Sequence, residues 1–319
     1  MKTNGSSKRR SRFVRDKSSV FEPQERDYDI LRTLYSCRLL TTSQISLLFF
    51  PGVKRAQQRL RQLYDAKWVD RIARATLYGS KEFICILGKE GGEVLADEMG
   101  IDKRVNPEEY KKINSARLKA KKVKDLFLDH FIEINSFRIA LNLAAKKSGC
   151  EVSFWRYEDR MRSQTDRVKD PADPMQLIPV IPDAFFGVQT PRGEAHFFLE
   201  VDMGTTKNPD FLRKMRGYIG YRLAHIHERR YSKKYFRVLV VTSPEGKYKL
   251  HSRLKVLNEL KQNSDMFYIA ELTNATPEKL FSGIWQVPML GLRSLFDIQD
   301  SEISEIAADY DQHTVSALE

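Results

Sequence analysis

Ile181-Pro182-Asp183-Ala184-Phe185-Phe186-Gly187-Val188-Gln189, a Thr190-Pro191-Arg192-Gly193 break, and His196-Phe197-Phe198-Leu199-Glu200-Val201-Asp202 form the stretch whose reading decides the fold. Two aromatic-rich segments around a Pro-Arg-Gly turn predict a β-hairpin. Its acids sit at the strand ends. Side chains alternate faces along a strand, so Glu200 and Asp202 are expected to point the same way, with Asp183 contributed by the neighbouring strand. Three converging carboxylates repel one another unless a divalent cation or a basic partner sits among them.

Working outward on the C-terminal side, the pattern predicts a helix from Pro209 to about Glu228 and a strand Phe236–Val241. A helix near His251–Gln262 and a strand Met266–Ala270 follow. On the N-terminal side, Phe131, Ile134, Phe137, Leu141 and Ala145 make the buried stripe of a helix from His130 to Lys147. It is followed by a strand Glu151–Tyr157 and a polar loop from Asp159 to Pro182. The resulting order, αβββαβ with acids at the ends of the second and third strands, predicts an α/β (α+β) domain over residues 129–296. Glu133 and Glu158 are further acids such a site could recruit.

The N-terminal third has a different periodicity. Tyr28, Leu31, Leu34 and Tyr35 form one apolar stripe from Glu25 onward. Thr41-Thr42-Ser43-Gln44 is a capping box in which Thr41 caps a helix that buries Ile45, Leu48 and Phe49. Pro51-Gly52 stops that helix, and a third runs from Val53 to about Ala66. Val53, Ala56, Leu60 and Leu63 share a narrow arc on it, opposite Lys54, Arg55, Gln58, Arg61 and Gln62. Strands at Trp68–Ala73 and Phe83–Leu87 flank a Tyr78-Gly79-Ser80 turn, and a short helix Lys89–Met99 follows. Three helices and a two-stranded wing predict a winged helix-turn-helix over residues 25–100. Its third helix would enter the major groove, with Arg71, Arg74 and Lys81 near the wing. Such modules also dock proteins, and residues 21–100 carry only 12 basic against 11 acidic side chains. The concentration of basic residues on one helical face favours DNA.

Charge bounds the partners. The chain of 319 residues has a net charge of +12, and residues 297–319 hold seven acids and no Lys or Arg, so the remainder carries +19. A body this basic favours a polyanion, and with no membrane signature that most simply means nucleic acid; ribosome-like or purely solubilising charge is the alternative. Residues 1–24 are expected to be a basic disordered tail, 101–128 a basic helical connector with a solvated face, and 297–319 an acidic tail that competes with DNA. No run of 18 apolar residues exists, and Met1-Lys2-Thr3-Asn4-Gly5 leads into Lys8-Arg9-Arg10 without an apolar h-region. A cytoplasmic location off the membrane is therefore expected. Cys37, Cys85 and Cys150 have neither disulfide-framework nor zinc-ligand spacing.

Pro182-Asp183 and Glu200-Val201-Asp202 in an αβββαβ run resemble the restriction-endonuclease-like, PD-(D/E)XK nucleases. In that superfamily the Asp and Glu hold Mg²⁺ and a Lys two residues after the Glu orients or activates the attacking water. Here that position is Asp202, so either Lys214, with Tyr218 and Tyr221 on nearly the same helical face, takes the lysine's place, or the fold has kept its shape without the chemistry. The acids also have a structural alternative, helix capping or pairing with Arg213. The whole pattern is similar to the replication-relaxation family of plasmids and mobile elements. It is carried by Thr41-Thr42-Ser43-Gln44-Ile45, Arg59-Leu60-Arg61-Gln62-Leu63, Glu200-Val201-Asp202-Met203-Gly204-Thr205, and Lys214 followed by Tyr218. The resemblance implies DNA binding in replication or DNA relaxation. Nicking is one extension of it, with Asp183, Glu200 and Asp202 as Mg²⁺ or Mn²⁺ ligands and Lys214 as charge stabiliser. The other is a catalytically inactive replication or transcription regulator. A homodimer and contacts to replication or mobilisation proteins stay open at this point.

Overall fold

The computed structural model describes residues 14–16, 21–74, 81–123, 125–158, 165–244 and 246–296. The expected wing turn at Tyr78-Gly79-Ser80, the acidic tail and most of the basic tail lie outside them. The chain forms two compact units, residues 1–135 and 136–319.

In the first unit, α1 (Glu25–Cys37), β1 (Leu39–Thr41), α2 (Thr42–Phe49), α3 (Val53–Asp65), β2 (Val69–Ile72) and β3 (Ile84–Leu87) follow in order. The three helices and the β2–β3 pair fall within two residues of their predicted bounds. The capping box at α2 forms as read: Thr41 Oγ1 accepts the Gln44 N–H at 3.2 Å, and Gln44 Oε1 accepts the Thr41 N–H at 2.9 Å. The strand β1 is an addition. Buried throughout, it pairs with β3 and completes an antiparallel sheet of order β1-β3-β2. Ala56, Leu60 and Leu63 of α3 are buried as the stripe predicts, but Val53, one turn earlier at the helix start, is 43% exposed.

Helices α4 (Lys89–Glu98) and α5 (Pro107–Lys121) also belong to this unit. The expected connector is thus part of a packed body: Ile113 and Ala120 of α5 are buried, while its lysines face solvent. The basic tail likewise has a docked piece. Arg15 pairs with Asp70 and stacks 3.9 Å from the Tyr64 ring centre, and the Asp16 N–H donates to Asp65. Cys37 and Cys85 are buried, and burial pushes the Cys85 thiol up to about 12, which makes it an inert packing residue.

The second unit is built on a seven-stranded sheet of order β12-β11-β10-β9-β8-β7-β4. Helix α6 (Asp125–Lys147), whose C-terminal half belongs here, precedes β4 (Glu151–Tyr157); β7 (Ala184–Thr190) and β8 (Gly193–Asp202) form the predicted hairpin, with Ala184 opposite Leu199 and Thr190 opposite Gly193. β8 runs parallel to β9 (Arg237–Thr242), and β9 to β10 (Phe267–Glu271). β11 (Trp285–Val287) and β12 (Gly291–Arg293) extend the edge antiparallel. The αβββαβ order expected of a restriction-endonuclease-like core is present.

Two predictions for this unit are corrected. The segment read as a polar loop carries a second hairpin, β5 (Asp166–Asp170) and β6 (Asp173–Val180). Its alternation, with Val168, Ile178 and Val180 inward and Arg167, Lys169, Leu177 and Pro179 outward, was hidden by three aspartates and four prolines between residues 166 and 182. The helix expected from Pro209 to Glu228 is two helices, α7 (Asn208–Leu223) and α8 (Ile226–Tyr231), because His225 takes a left-handed φ of 51° between them.

Candidate functional site

Asp183 immediately precedes β7 and is held by backbone on both sides. Its N–H donates to the Leu199 carbonyl (3.0 Å), and its carbonyl accepts the Glu158 N–H (3.1 Å). Its Oδ2 accepts the Val201 N–H at 2.7 Å, which places the carboxylate against the residue following Glu200. Glu200, 4% exposed near the end of β8, receives the Lys214 ammonium on Oε2 and the Tyr218 hydroxyl on Oε1. Lys214 and Tyr218 are i and i+4 on α7, so one helical face serves both oxygens. The Lys214 side chain is 38% exposed, which opens the cluster to solvent at that point.

The electrostatics follow from burial. Removal from water pushes the Glu200 carboxyl up to about 7; Lys214 opposes the shift and Asp183 adds to it. The raised carboxyl pKa expected of clustered acids is therefore found, but burial is the larger cause. Burial disfavours the Lys214 charge, yet Glu200 and Asp183 outweigh it and raise the ammonium pKa. Burial and the neighbouring Glu200 charge raise the Tyr218 pKa well above the ordinary phenol value, so the hydroxyl stays a donor.

Asp202, expected as the third member of the cluster, is engaged elsewhere. Its carboxylate receives Nε and NH2 of Arg253 and the Gly204 N–H. Arg253 is fully buried and also donates to Asn208 Oδ1 (2.8 Å) and the Thr206 carbonyl (2.7 Å), and its guanidinium lies over Phe211 and Tyr248. This network ties the start of α7 to the end of β8. Gly204 is required there by a φ of +70° and by the Gly246 backbone, 2.5 Å from where a Cβ would stand. Among the described residues no group of three or more His, Cys, Asp or Glu is placed to hold a metal ion. Of the three acids expected to converge, Asp183 and Glu200 are the two that stay together, the Asp183 charge acting on the Glu200 carboxyl. Of the other acids considered, Glu158 lies close enough to act on the Lys214 charge, whereas Glu133 belongs to the first unit. Tyr221 donates to Asp166 (3.3 Å), and Arg213 is exposed.

The sequence did not single out Arg253 or the pairing of Tyr218 with Glu200. It also missed His196 and His227, whose rings meet at 3.3 Å inside an aromatic cluster of Phe185, Phe198, Tyr231 and Phe236. Burial lowers both imidazole pKa values, that of His227 to about 3.

In the first unit, Lys54, Arg55, Gln58 and Gln62 are exposed on α3. Arg55, Gln58 and Gln62 line an open depression of about 340 Å³ together with Arg26 and Phe50. The other three predicted contacts are occupied within the unit. Arg61 pairs with Asp65 and donates to the Val14 carbonyl, Arg74 pairs with Asp129, and the half-buried Arg71 guanidinium lies between the Tyr64 and Phe83 rings. None of the helices among the described residues is long and apolar enough to cross a membrane.

No curated protein matches the chain. A solved structure of the restriction endonuclease FokI is similar at 11% identity and a TM-score of 0.27, over 78% of this chain and 43% of that one. The family model of replication-relaxation proteins matches residues 31–235, from α1 to the segment before β9 and through the whole Asp183–Glu200–Lys214 cluster, and the chain belongs to the replication-relaxation family.

Proposed function

We propose that this protein binds DNA and cuts one of its strands, with Asp183 and Glu200 holding Mg²⁺ or Mn²⁺ and Lys214 facing the scissile phosphate. The observation that carries the reading is the convergence of Asp183, Glu200 and Lys214, in which a helical lysine stands over the strand carboxylates where the motif lysine is missing. When bound, the cation supplies Lewis-acid stabilisation of the charge that develops on the phosphate. The chain's own residues do the rest. Lys214 brings an ammonium, held charged by Glu200 and Asp183, to the site where negative charge grows in the transition state. Tyr218 fixes the Glu200 carboxylate through Oε1, and Arg253 on Asp202 fixes the loop from which α7 starts. The exposed face of α3, with Lys54, Arg55, Gln58 and Gln62, supplies phosphate and base-edge contacts in a winged-helix manner.

The test is conversion of supercoiled plasmid to open circle with Mg²⁺ or Mn²⁺, and with EDTA as control. Asp183→Asn and Glu200→Gln should abolish nicking together with metal binding. Lys214→Ala should abolish nicking while sparing metal and DNA binding, as for a group acting mainly on the transition state. A wild type that neither binds the cations nor nicks would leave the second reading, a DNA-binding regulator without chemistry. One observation favours that alternative: Lys214 and Tyr218 already satisfy both Glu200 oxygens.

A further inference from the structure

The β5–β6 hairpin is absorbed by neither the sheet nor the carboxylate cluster. Its inner face, Val168, Ile178 and Val180, packs on α7, and two glycines make the approach close. A Cβ on Gly217 would meet Ile178 Cγ2 at 2.9 Å, and one on Gly220 would meet the Lys169 carbonyl oxygen at 2.7 Å. The hairpin is thereby seated on the helix that supplies Lys214 and Tyr218 to Glu200.

Its charges are sorted by face. Asp170 receives Nε and NH2 of Arg216 at 2.8 and 2.9 Å, and Asp166 receives Arg230 and the Tyr221 hydroxyl. Asp173 accepts the Met175 N–H at 3.3 Å and Gln176 Nε2 at 2.8 Å inside the turn. Every acid of the hairpin is thus engaged by a cation or by its own turn. The two cations are not: Arg167 and Lys169 are exposed and make no ion pair among the described residues. Arg167 stands opposite Pro179, and Lys169 opposite Leu177. The outer face is therefore a row of exposed positive charge beside an apolar row, with Leu177 52% and Met175 93% exposed.

We propose that this outer face grips a DNA strand beside the Glu200–Lys214 cluster, Arg167 and Lys169 on successive phosphates and Leu177 and Met175 against sugar and base surfaces. A polynucleotide fits because it offers a line of anions backed by flat apolar faces, the complement of two adjacent rows of this kind. The grip rests on the DNA-binding part of the proposed function and supplies the surface that presents the strand.

The experiment measures DNA binding by the full chain against salt in EDTA, where cutting cannot contribute. On single-stranded DNA, Arg167→Ala/Lys169→Ala should flatten the log–log salt slope by about 1.4, so that a roughly fivefold rise in salt costs the wild type about tenfold more affinity than the variant. The charge-preserving Arg167→Lys/Lys169→Arg should restore the slope, which a merely structural role would not predict. Leu177→Asn should weaken binding at all salt concentrations, with an unchanged melting temperature as proof of folding. An unchanged slope in the double-alanine variant, or a wild type with no DNA affinity, overturns the proposal. So does dissociation of a dimer on Met175→Asp with DNA binding intact, because the face would then be a contact between copies of this chain. Slope flattening in a protein that does not nick would retain the grip and refute the cutting, so the two readings fail separately.

Discussion

Lys214→Ala tests the electrostatic account of the site through stability alone, independently of any activity. In the wild type, Glu200 is buried with the Lys214 ammonium and the Tyr218 hydroxyl on its two oxygens, and its carboxyl titrates at about 7. Removing one partner of a buried ion pair costs about 3–5 kcal/mol when the remaining charge cannot leave. Two features reduce this: Lys214 is 38% exposed, so solvent screens part of the pair, and Tyr218 still donates. We expect about 2 kcal/mol above neutral pH. The sign follows from linkage. A carboxyl whose folded pKa lies above its unfolded value of 4.5 favours folding when protonated, and this contribution is lost as pH rises from 4.5 through the folded pKa. Without Lys214 that pKa moves above 7, so the loss continues to higher pH. Urea unfolding of both proteins at several pH values should show a small penalty near pH 5 that grows through neutrality, and Glu200→Gln in the variant background should erase the growth. A penalty of the same size at every pH would refute the claim that Lys214 acts on an ionised, buried Glu200.

Four further outcomes are expected. Mg²⁺ or Mn²⁺ at roughly a hundredfold excess over Kd should stabilise the fold by about 2.7 kcal/mol, read as a rise in melting temperature, and Asp183→Asn/Glu200→Gln should abolish the rise. In salt titrations of DNA binding, Lys54→Ala should lower affinity on all sequences and flatten the slope by about one unit. Arg55→Ala/Gln58→Ala should instead reduce the preference for the specific site by about 1–3 kcal/mol per base-edge hydrogen-bond pair that the two side chains make. His227, buried and lowered to about 3, contributes stability that is complete above its ordinary value of 6.5 and falls as pH drops toward 3. On going from neutrality to pH 4.5 the wild type should lose about 2–3 kcal/mol more stability, or gain that much less, than His227→Phe, and identical pH profiles for the two proteins would remove His227 from the account.

The strands and helices that bury apolar residues at a clean period were legible, because hydrophobic alternation and capping chemistry are local: α2 begins where Thr41 and Gln44 say it does, and β7–β8 turn at Gly193. The β5–β6 hairpin was not legible. Its strands are rich in prolines and charges, and what stabilises them is remote in the chain: Arg216 lies 46 residues from Asp170, Arg230 lies 64 from Asp166, and the groove at Gly217 and Gly220 is on the same helix as Arg216. The outward face of α3 was legible as a face, but the use of its cations was not. Helical spacing already sets Asp65 one turn from Arg61, and only the fold brings the Val14 carbonyl to it.

The carboxylate cluster shows why spacing alone does not say which acids share a partner. Glu200 and Asp202 share a strand face, as the period of two requires, but a shared face does not make a shared site. Two residues along a strand separate the side chains by about 7 Å, enough for different partners to claim them. α7 brings Lys214 and Tyr218 to Glu200, while α9 (Leu250–Asn258) brings Arg253 to Asp202. The two claims differ in kind. Arg253 is fully buried, forks across both oxygens of Asp202 and is held besides by Asn208 and the Thr206 carbonyl, an arrangement that fixes structure and leaves little to exchange. Lys214 is a single cation, partly in solvent, on a carboxyl pushed up to about 7, so under the proposed function this is the pairing that a phosphate or a cation would displace. The sequence places Asp202 where the motif it resembles has a lysine; the fold makes that acid a strut held by Arg253 and sets the partly exposed Lys214 on the helix, against Glu200.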